Sequence, residues 1–543
     1  MFAGALLVGA AVVTAAPSVP EDDRAATHVL HRLAYGPRPG DIAAVRRLGV
    51  AAWIEQQLHP SRLDDGALEA RLSAFTTLTL DARTIVQEFE RPAIEERRAR
   101  QQAGTTASAP DAAPGAPRPA PSAAQAKRRL VLDELEEAKL LRAVYSARQL
   151  EAVLTDAWFN HFNVFAGKGP TRSYVTAYER DAIRPHVFGR FRDLLNASAH
   201  SPAMLIYLNN IENVKGKPNE NYAREIMELH TLGVAVDGAP YTERDVLEVA
   251  RCFTGWTRNM KWQDPVYGTF LFKPQDHDEG PKTVLGHHIP AGGGIQDGLI
   301  VLDLLCNHPA TPRFLAAKLV RRFVADDPEV AAPALVARIA DVYRQTDGHI
   351  GAMVRAILTS DEFGGAFGRH GGKLARPIDL AVRMMRAVGT PRDVLVPALG
   401  DRSMAFTLWY EHLVGYNGHM FKLGQIPFAW LTPDGYPDVK LPWTSAAGML
   451  HRWNLAFAIA RGSTVPGYKP HEHRPANLVG ADAIADHWIL TLLGRPMLPE
   501  DREIIVNCLN GAGADPNDPG RSAGQDELRA VALILASPYM QWK

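Results

Sequence analysis

A chain of 543 residues can bury one large core or about two to three smaller ones, and its 46% hydrophobic and 22% charged residues fit a folded globular protein rather than a disordered one. Lys plus Arg number 59 against 60 Asp plus Glu, a formal net charge of −1, so no global field draws nucleic acid or an anionic membrane, and nucleic-acid binding is not expected. Three widely spaced cysteines, Cys252, Cys306 and Cys508, exclude a zinc finger, a CxxC site and a disulfide-dense scaffold.

Phe2 to Ala16 is an uncharged run of small and apolar residues ending in Thr14-Ala15-Ala16 before Pro17. It is shorter than the ~20 residues of a membrane-spanning helix and reads as a signal peptide over 1–16, although no Lys or Arg precedes it. The other reading is an apolar first helix. No later stretch suits a bilayer, so the expectation is an exported protein, periplasmic or extracellular, with no transmembrane segment in the mature chain. Residues 17–102 read as an N-terminal helical part, with helices over 25–35, from Asp41, over 50–58 and over 82–102. From 103 to 125 the chain is mostly Ala, Pro, Ser, Thr and Gly, which cannot bury enough surface to offset ordering, so a disordered insertion is expected. The remainder, 126–543, reads as the main domain: helical periodicity with a minor β element. Gly268 to Lys273 and Lys282 to Gly286 carry the strand pattern and suggest one small hairpin. Four prolines between Gly424 and Trp443 prevent a helix and predict a long ordered loop. The fold class is mostly α.

Residues 218–233, PNENYAREIMELHTLG, carry the most information. Asn219 or Asn221 can start a helix that Gly233 can end. At ~100° per residue, Tyr222, Ala223, Ile226, Met227, Leu229 and His230 share one arc, and Glu220, Asn221, Arg224, Glu225 and Glu228 the other. Two carboxylates beside a guanidinium fit an acid/base site, or a divalent-metal site with Glu225 and Glu228 as ligands. Any solvated helix face, with an Arg224–Glu228 pair, fits the same pattern.

This segment resembles the signature of the bacterial family called domain of unknown function 1800. Further matching segments are HRLAYGPRPGD at 31–41, WFNHF at 158–162, RPHVFG at 184–189, ARCFTGW at 250–256, His277-Asp278, and Lys318-Leu319-Val320. The resemblance runs from about residue 27 onward, omitting the Ala/Pro stretch, and is loosest at GQIPFAWLTPDGYPD. It implies an exported or periplasmic bacterial protein and brings no established reaction.

Other groups of residues extend the candidate site. His277-Asp278 can complete a metal site with Glu225 and Glu228, or can be ordinary turn chemistry. Arg184 and His186, in a charged cluster with Glu179, Arg180 and Asp181, can bind an anion or form interior ion pairs. Asn160 and His161 sit in an aromatic run that is commonly core. Trp430, Tyr436 and Trp443, with Asp434 and Asp438, suit a stacking surface for a glycan, or a loop pinned by its own aromatics. There is no GxSxG elbow, P-loop, HExxH or Rossmann fingerprint. Two functions stay open: an exported acid/base or metal-assisted enzyme acting on an envelope or extracellular polymer, and a non-catalytic periplasmic binding or assembly protein.

Overall fold

The computed structural model describes residues 22–102, 122–234, 240–365, 372–389, 413–414, 418–465, 468–513 and 522–543. The expected signal peptide and nearly all of the Ala/Pro-rich stretch lie outside them.

The described chain is predominantly helical, as the periodicity predicts. A 23-residue helix, Ala123–Tyr145, turns back into Gln149–His161, and shorter helices lead to Asn221–Met227 and Glu243–Cys252. Ile295–Asn307, Ala310–Phe323 and Pro333–Gln345 follow, and a group closed by Ala446–Ala460, Ala481–Leu493, Pro499–Leu509 and Ala523–Ala536 packs at the other side of Pro377–Ala387. One continuous apolar cluster runs from Ala25 to Met540, with a small satellite of Ile85, Phe89 and Val131.

The long helix begins inside the stretch that composition assigned to the insertion. Ser122 and Gln125 form a reciprocal capping box, and the Ser122 hydroxyl also donates to Glu96 at 2.5 Å, in the middle of helix Arg91–Gln102.

The β elements differ from the single hairpin expected. Phe270–Phe272 pairs antiparallel with Trp256–Arg258, and Lys282–Val284 pairs with His287–Ile289, giving two separate two-stranded sheets. The physical reason is a turn mistaken for strand. Leu285 and Gly286 both take positive φ, 50° and 80°, the backbone of a two-residue hairpin turn. Asp245 accepts the Leu285 N–H at 2.8 Å and fixes that turn.

Helix Pro377–Ala387 is buried over all 11 residues, although it carries Asp379, Arg383 and Arg386. Buried charge is tolerable only when paired. Asp379 meets Lys543 at 2.6 Å and both Arg322 and Arg376 at 3.3 Å. Burial would raise its carboxyl, but those three cations hold it well below the usual carboxylate range. Arg376 also reaches Asp156 at 2.5 Å, which Lys139 holds from the other side at 2.8 Å. Arg383 donates to the backbone carbonyls of Met540 and Trp542, and Arg386 to those of Gly36 and Val144 and to the Asp41 carboxylate at 3.1 Å. One helix thus fastens segments from both ends of the described chain.

Replacing Asp379 by Ala leaves three buried cations without their shared carboxylate, and we expect a loss of about 3–5 kcal/mol in urea unfolding. A loss near zero would show that the network does not hold the helix.

Candidate functional site

The loop predicted between Gly424 and Trp443 is ordered and contains no helix beyond the single turn Leu441–Trp443. It is sewn to the end of helix Gln149–His161. The Asn160 amide donates to the Tyr436 carbonyl at 2.8 Å and accepts the Tyr436 N–H at 2.7 Å. Asn163 donates to the carbonyls of Trp430 and Thr432 at 3.1 and 2.8 Å. At Gly435, where φ is +76°, a Cβ would stand 2.1 Å from the Asn160 carbonyl oxygen, so this approach requires glycine.

Between that loop and helix Ala310–Phe323 lies a cavity of about 310 Å³, lined among others by Trp158, Asn160, His161, Lys318, Arg321, Asp434 and Tyr436. Lys318 is its central polar group. Its ammonium lies 2.9 Å from His161 Nδ1 and 3.3 Å from the Leu229 carbonyl, over the Phe314 ring. His161 Nε2 contacts the His230 carbonyl at 3.1 Å. A carbonyl only accepts, so Nε2 carries the proton and Nδ1 accepts from Lys318. Burial, and then Lys318 and His230, keep the His161 imidazole well below its ordinary pKa, hence neutral. Burial and the neighbouring Arg321 pull the Lys318 amine down to about 7, against the attraction of Asp434.

Glu225 lies on helix Asn221–Met227, half-buried, its carboxylate making no hydrogen bond or ion pair among the described residues. Burial, then the charges of Glu228 and Asp434, push its carboxyl up to about 7, Arg224 opposing. Asp434 therefore acts on both Glu225 and Lys318. It is itself held by Trp430 Nε1 at 2.9 Å and by the Thr432 hydroxyl at 2.5 Å.

The other residues singled out in the sequence fall in different places. Arg224 turns away from Glu228: it grips Glu243 at 2.6 and 2.8 Å and meets Glu220 at 3.4 Å. Asn221 donates its side-chain amide to the Leu208 carbonyl and its backbone N–H to Asn219 Oδ1. His277 is buried, Nδ1 against the Thr254 carbonyl at 2.8 Å and Nε2 against Asp297 at 3.1 Å, and Asp297 also binds Lys282. Asp278 is gripped by Arg251 at 2.8 and 3.1 Å, whose hydrogen bonds bring it down to about 2. The proposed metal set of Glu225, Glu228, His277 and Asp278 is not assembled, because both ring nitrogens of His277 and the Asp278 carboxylate have other partners. Among the described residues no three His, Cys, Asp or Glu side chains are placed to hold a metal ion. Arg184 pairs with the buried Glu179 at 2.5 Å, and His186 stands half-buried in the turn beside it.

The loop aromatics form a row, Trp430 to Tyr436 at 4.6 Å and Tyr436 to Trp443 at 6.3 Å between centroids. Their polar ends are engaged within the loop: the Tyr436 hydroxyl donates to the Ile426 carbonyl and Trp443 Nε1 to that of Pro437.

Sequence reasoning placed Lys318 only inside the family resemblance and missed its position at the cavity wall, and it passed over Arg321. The available signal was helical phase. Lys318 shares an arc with buried Thr311, Leu315 and Arg322, so this lysine faces inward.

Fold and site together define a helical protein with a loop-walled cavity holding an inward-facing amine. Residues 28–542 match the family described as "Protein of unknown function (DUF1800)", and the chain belongs to that family. No curated protein and no solved structure matches it.

The raised Glu225 carboxyl has a stability consequence. A carboxyl whose folded pKa lies above its unfolded one stabilises the fold at low pH, and that contribution is lost as pH rises through the folded value. From 4.5 to about 7 the parent should therefore lose melting temperature relative to Glu225→Gln, and above that window the variant should melt a few degrees higher. Parallel pH profiles of the two melting curves with no divergence would mean that Glu225 is solvated like a surface glutamate.

Proposed function

We propose that the protein is an exported enzyme, and that the cavity beside Lys318 is its active site for acid/base chemistry on an envelope or extracellular polymer. The observation that carries this reading is the Lys318 amine, set at the cavity wall with only neutral groups, His161 Nδ1 and the Leu229 carbonyl, as hydrogen-bond partners among the described residues. A lysine so placed exchanges a proton near neutrality and serves as base or nucleophile. Glu225, raised to about 7 and influenced by the same Asp434 although it does not line the cavity, adds the carboxyl that the signature helix suggested. Pairs of groups driven toward operating pH from opposite directions suit such chemistry. Export rests on the apolar stretch at 1–16. Among the described residues no helix is long and apolar enough to cross a membrane.

A second reading, a non-catalytic binding or assembly protein, draws on Leu431 and Leu441, which are 69% and 80% exposed along the same loop and offer apolar contacts to a partner.

Reductive methylation at pH 7, followed by peptide mass spectrometry, tests the amine directly. Lys318 should be modified at least about tenfold faster than exposed Lys217 and Lys261, because a far larger fraction is unprotonated. Modification no faster than theirs removes the catalytic role. In a screen of envelope polymers, Lys318→Met should then lose about 10²–10⁴-fold of any turnover found while its melting temperature holds; full turnover in that variant favours the binding reading.

A further inference from the structure

The cavity wall carries more positive charge than its surroundings neutralise. Four cationic side chains line it: Lys318, Arg321, Arg322 and Arg376. Arg322 and Arg376 are committed to Asp379 and Asp156, and to Asp438 beyond. Of the carboxylates on the same wall, Asp438 is engaged by Lys373 at 3.2 Å, while Asp434 takes only neutral donors, Trp430 and Thr432, and offsets one positive charge through space. Arg321 and Lys318 remain. Arg321 makes one bond, Nε to the Asp326 carbonyl at 3.1 Å, and among the described residues no carboxylate pairs with it. Lys318 is hydrogen-bonded to a neutral imidazole and a carbonyl. Three residues apart on helix Ala310–Phe323, the two project from neighbouring positions of one face.

We infer that the cavity binds an anionic group on the substrate, a carboxylate or a phosphate, with Arg321 and Lys318 as its recognition contacts. This takes the cavity to be the substrate site proposed above and adds the chemical class. Half-buried Arg321 opposes the charging of Lys318, and an anion between them offsets that repulsion, draws Lys318 to its ammonium form and completes their hydrogen bonds. The planar fork of Arg321 matches two oxygens of one anion, while Lys318 supplies a point charge at its side. A neutral ligand leaves both groups unmatched. At about 310 Å³ the cavity stands at the small end of ligand sites, sized for a sugar acid, a small phosphate ester or one charged end unit of a polymer.

Titration calorimetry and melting curves with glucuronate, inorganic phosphate and neutral glucose test this on the parent, on Arg321→Gln and on Arg344→Gln, a change at an exposed arginine paired with Asp341. We expect at least one of the two anions to bind and raise the melting temperature, and glucose not to. The binding anion identifies which of the two chemistries the site takes. Arg321→Gln should weaken it by about tenfold or more, the loss of one charged hydrogen-bonding group, and Arg344→Gln should leave it unchanged. The inference is overturned if neither anion binds, if glucose binds as well, or if Arg321→Gln keeps the parent affinity. Lys318 methylation separates the two readings. Fast methylation without anion binding sinks this inference alone; slow methylation with anion binding lost in Arg321→Gln upholds it and sinks the acid/base role.

Discussion

Charge taken out of water must be matched, and the architecture is arranged around that demand on helix Pro377–Ala387. Asp379 gathers Arg322, Arg376 and Lys543, which come from distant parts of the sequence, and Arg376 passes the connection on to Asp156 and Lys139. Apolar burial alone tolerates sliding and repacking. A carboxylate shared by three cations tolerates neither, since any shift strands a charge. The same network sets the wall of the cavity, because Asp438 of the proline-rich loop is tied to Lys373 and lies 3.7 Å from Arg322.

The cavity is where the matching stops. Helix Ala310–Phe323 contributes Arg322 to the satisfied network and, one turn earlier, Lys318 to the cavity. Four residues thus separate a cation committed to the network from one that faces the cavity. The difference is made by what faces each: carboxylates in one case, an imidazole and a carbonyl in the other. The asparagines that sew the loop down keep Asp434 in place, so the electrostatic setting of Lys318 and Glu225 is built on rigid elements rather than on a lid.

Much of the fold was legible because helical period and proline placement are local signals. The described residues of 126–543 are predominantly helical as their periodicity predicts, although helix Pro499–Leu509 was not foreseen, and the four prolines of the 424–443 stretch forbade a helix correctly. Strand pairing was not legible. Three-residue strands carry too little pattern to choose partners, and Leu285-Gly286 reads as strand until its φ angles show a turn. Of the candidate site, the sequence offered Glu225 and Glu228 by arc. It gave Arg224 the wrong partner, because an i, i+4 rule cannot foresee that Glu243 of the next helix competes better. Lys318 and His161 are joined only by tertiary packing, which no motif spacing encodes.

The hydrogen bond from Ser122 to Glu96 has a practical meaning for biochemistry on this protein. It ties the start of helix Ala123–Tyr145 to the middle of helix Arg91–Gln102, about 9 Å of helix before the 103–121 segment leaves. The chain therefore departs from and returns to one helix pair, an arrangement suited to accepting a guest domain. A fluorescent or affinity module spliced there would ride on a helix pair away from the loop-walled cavity, and would allow the protein to be followed in cells or recovered with its ligands while both termini stay native.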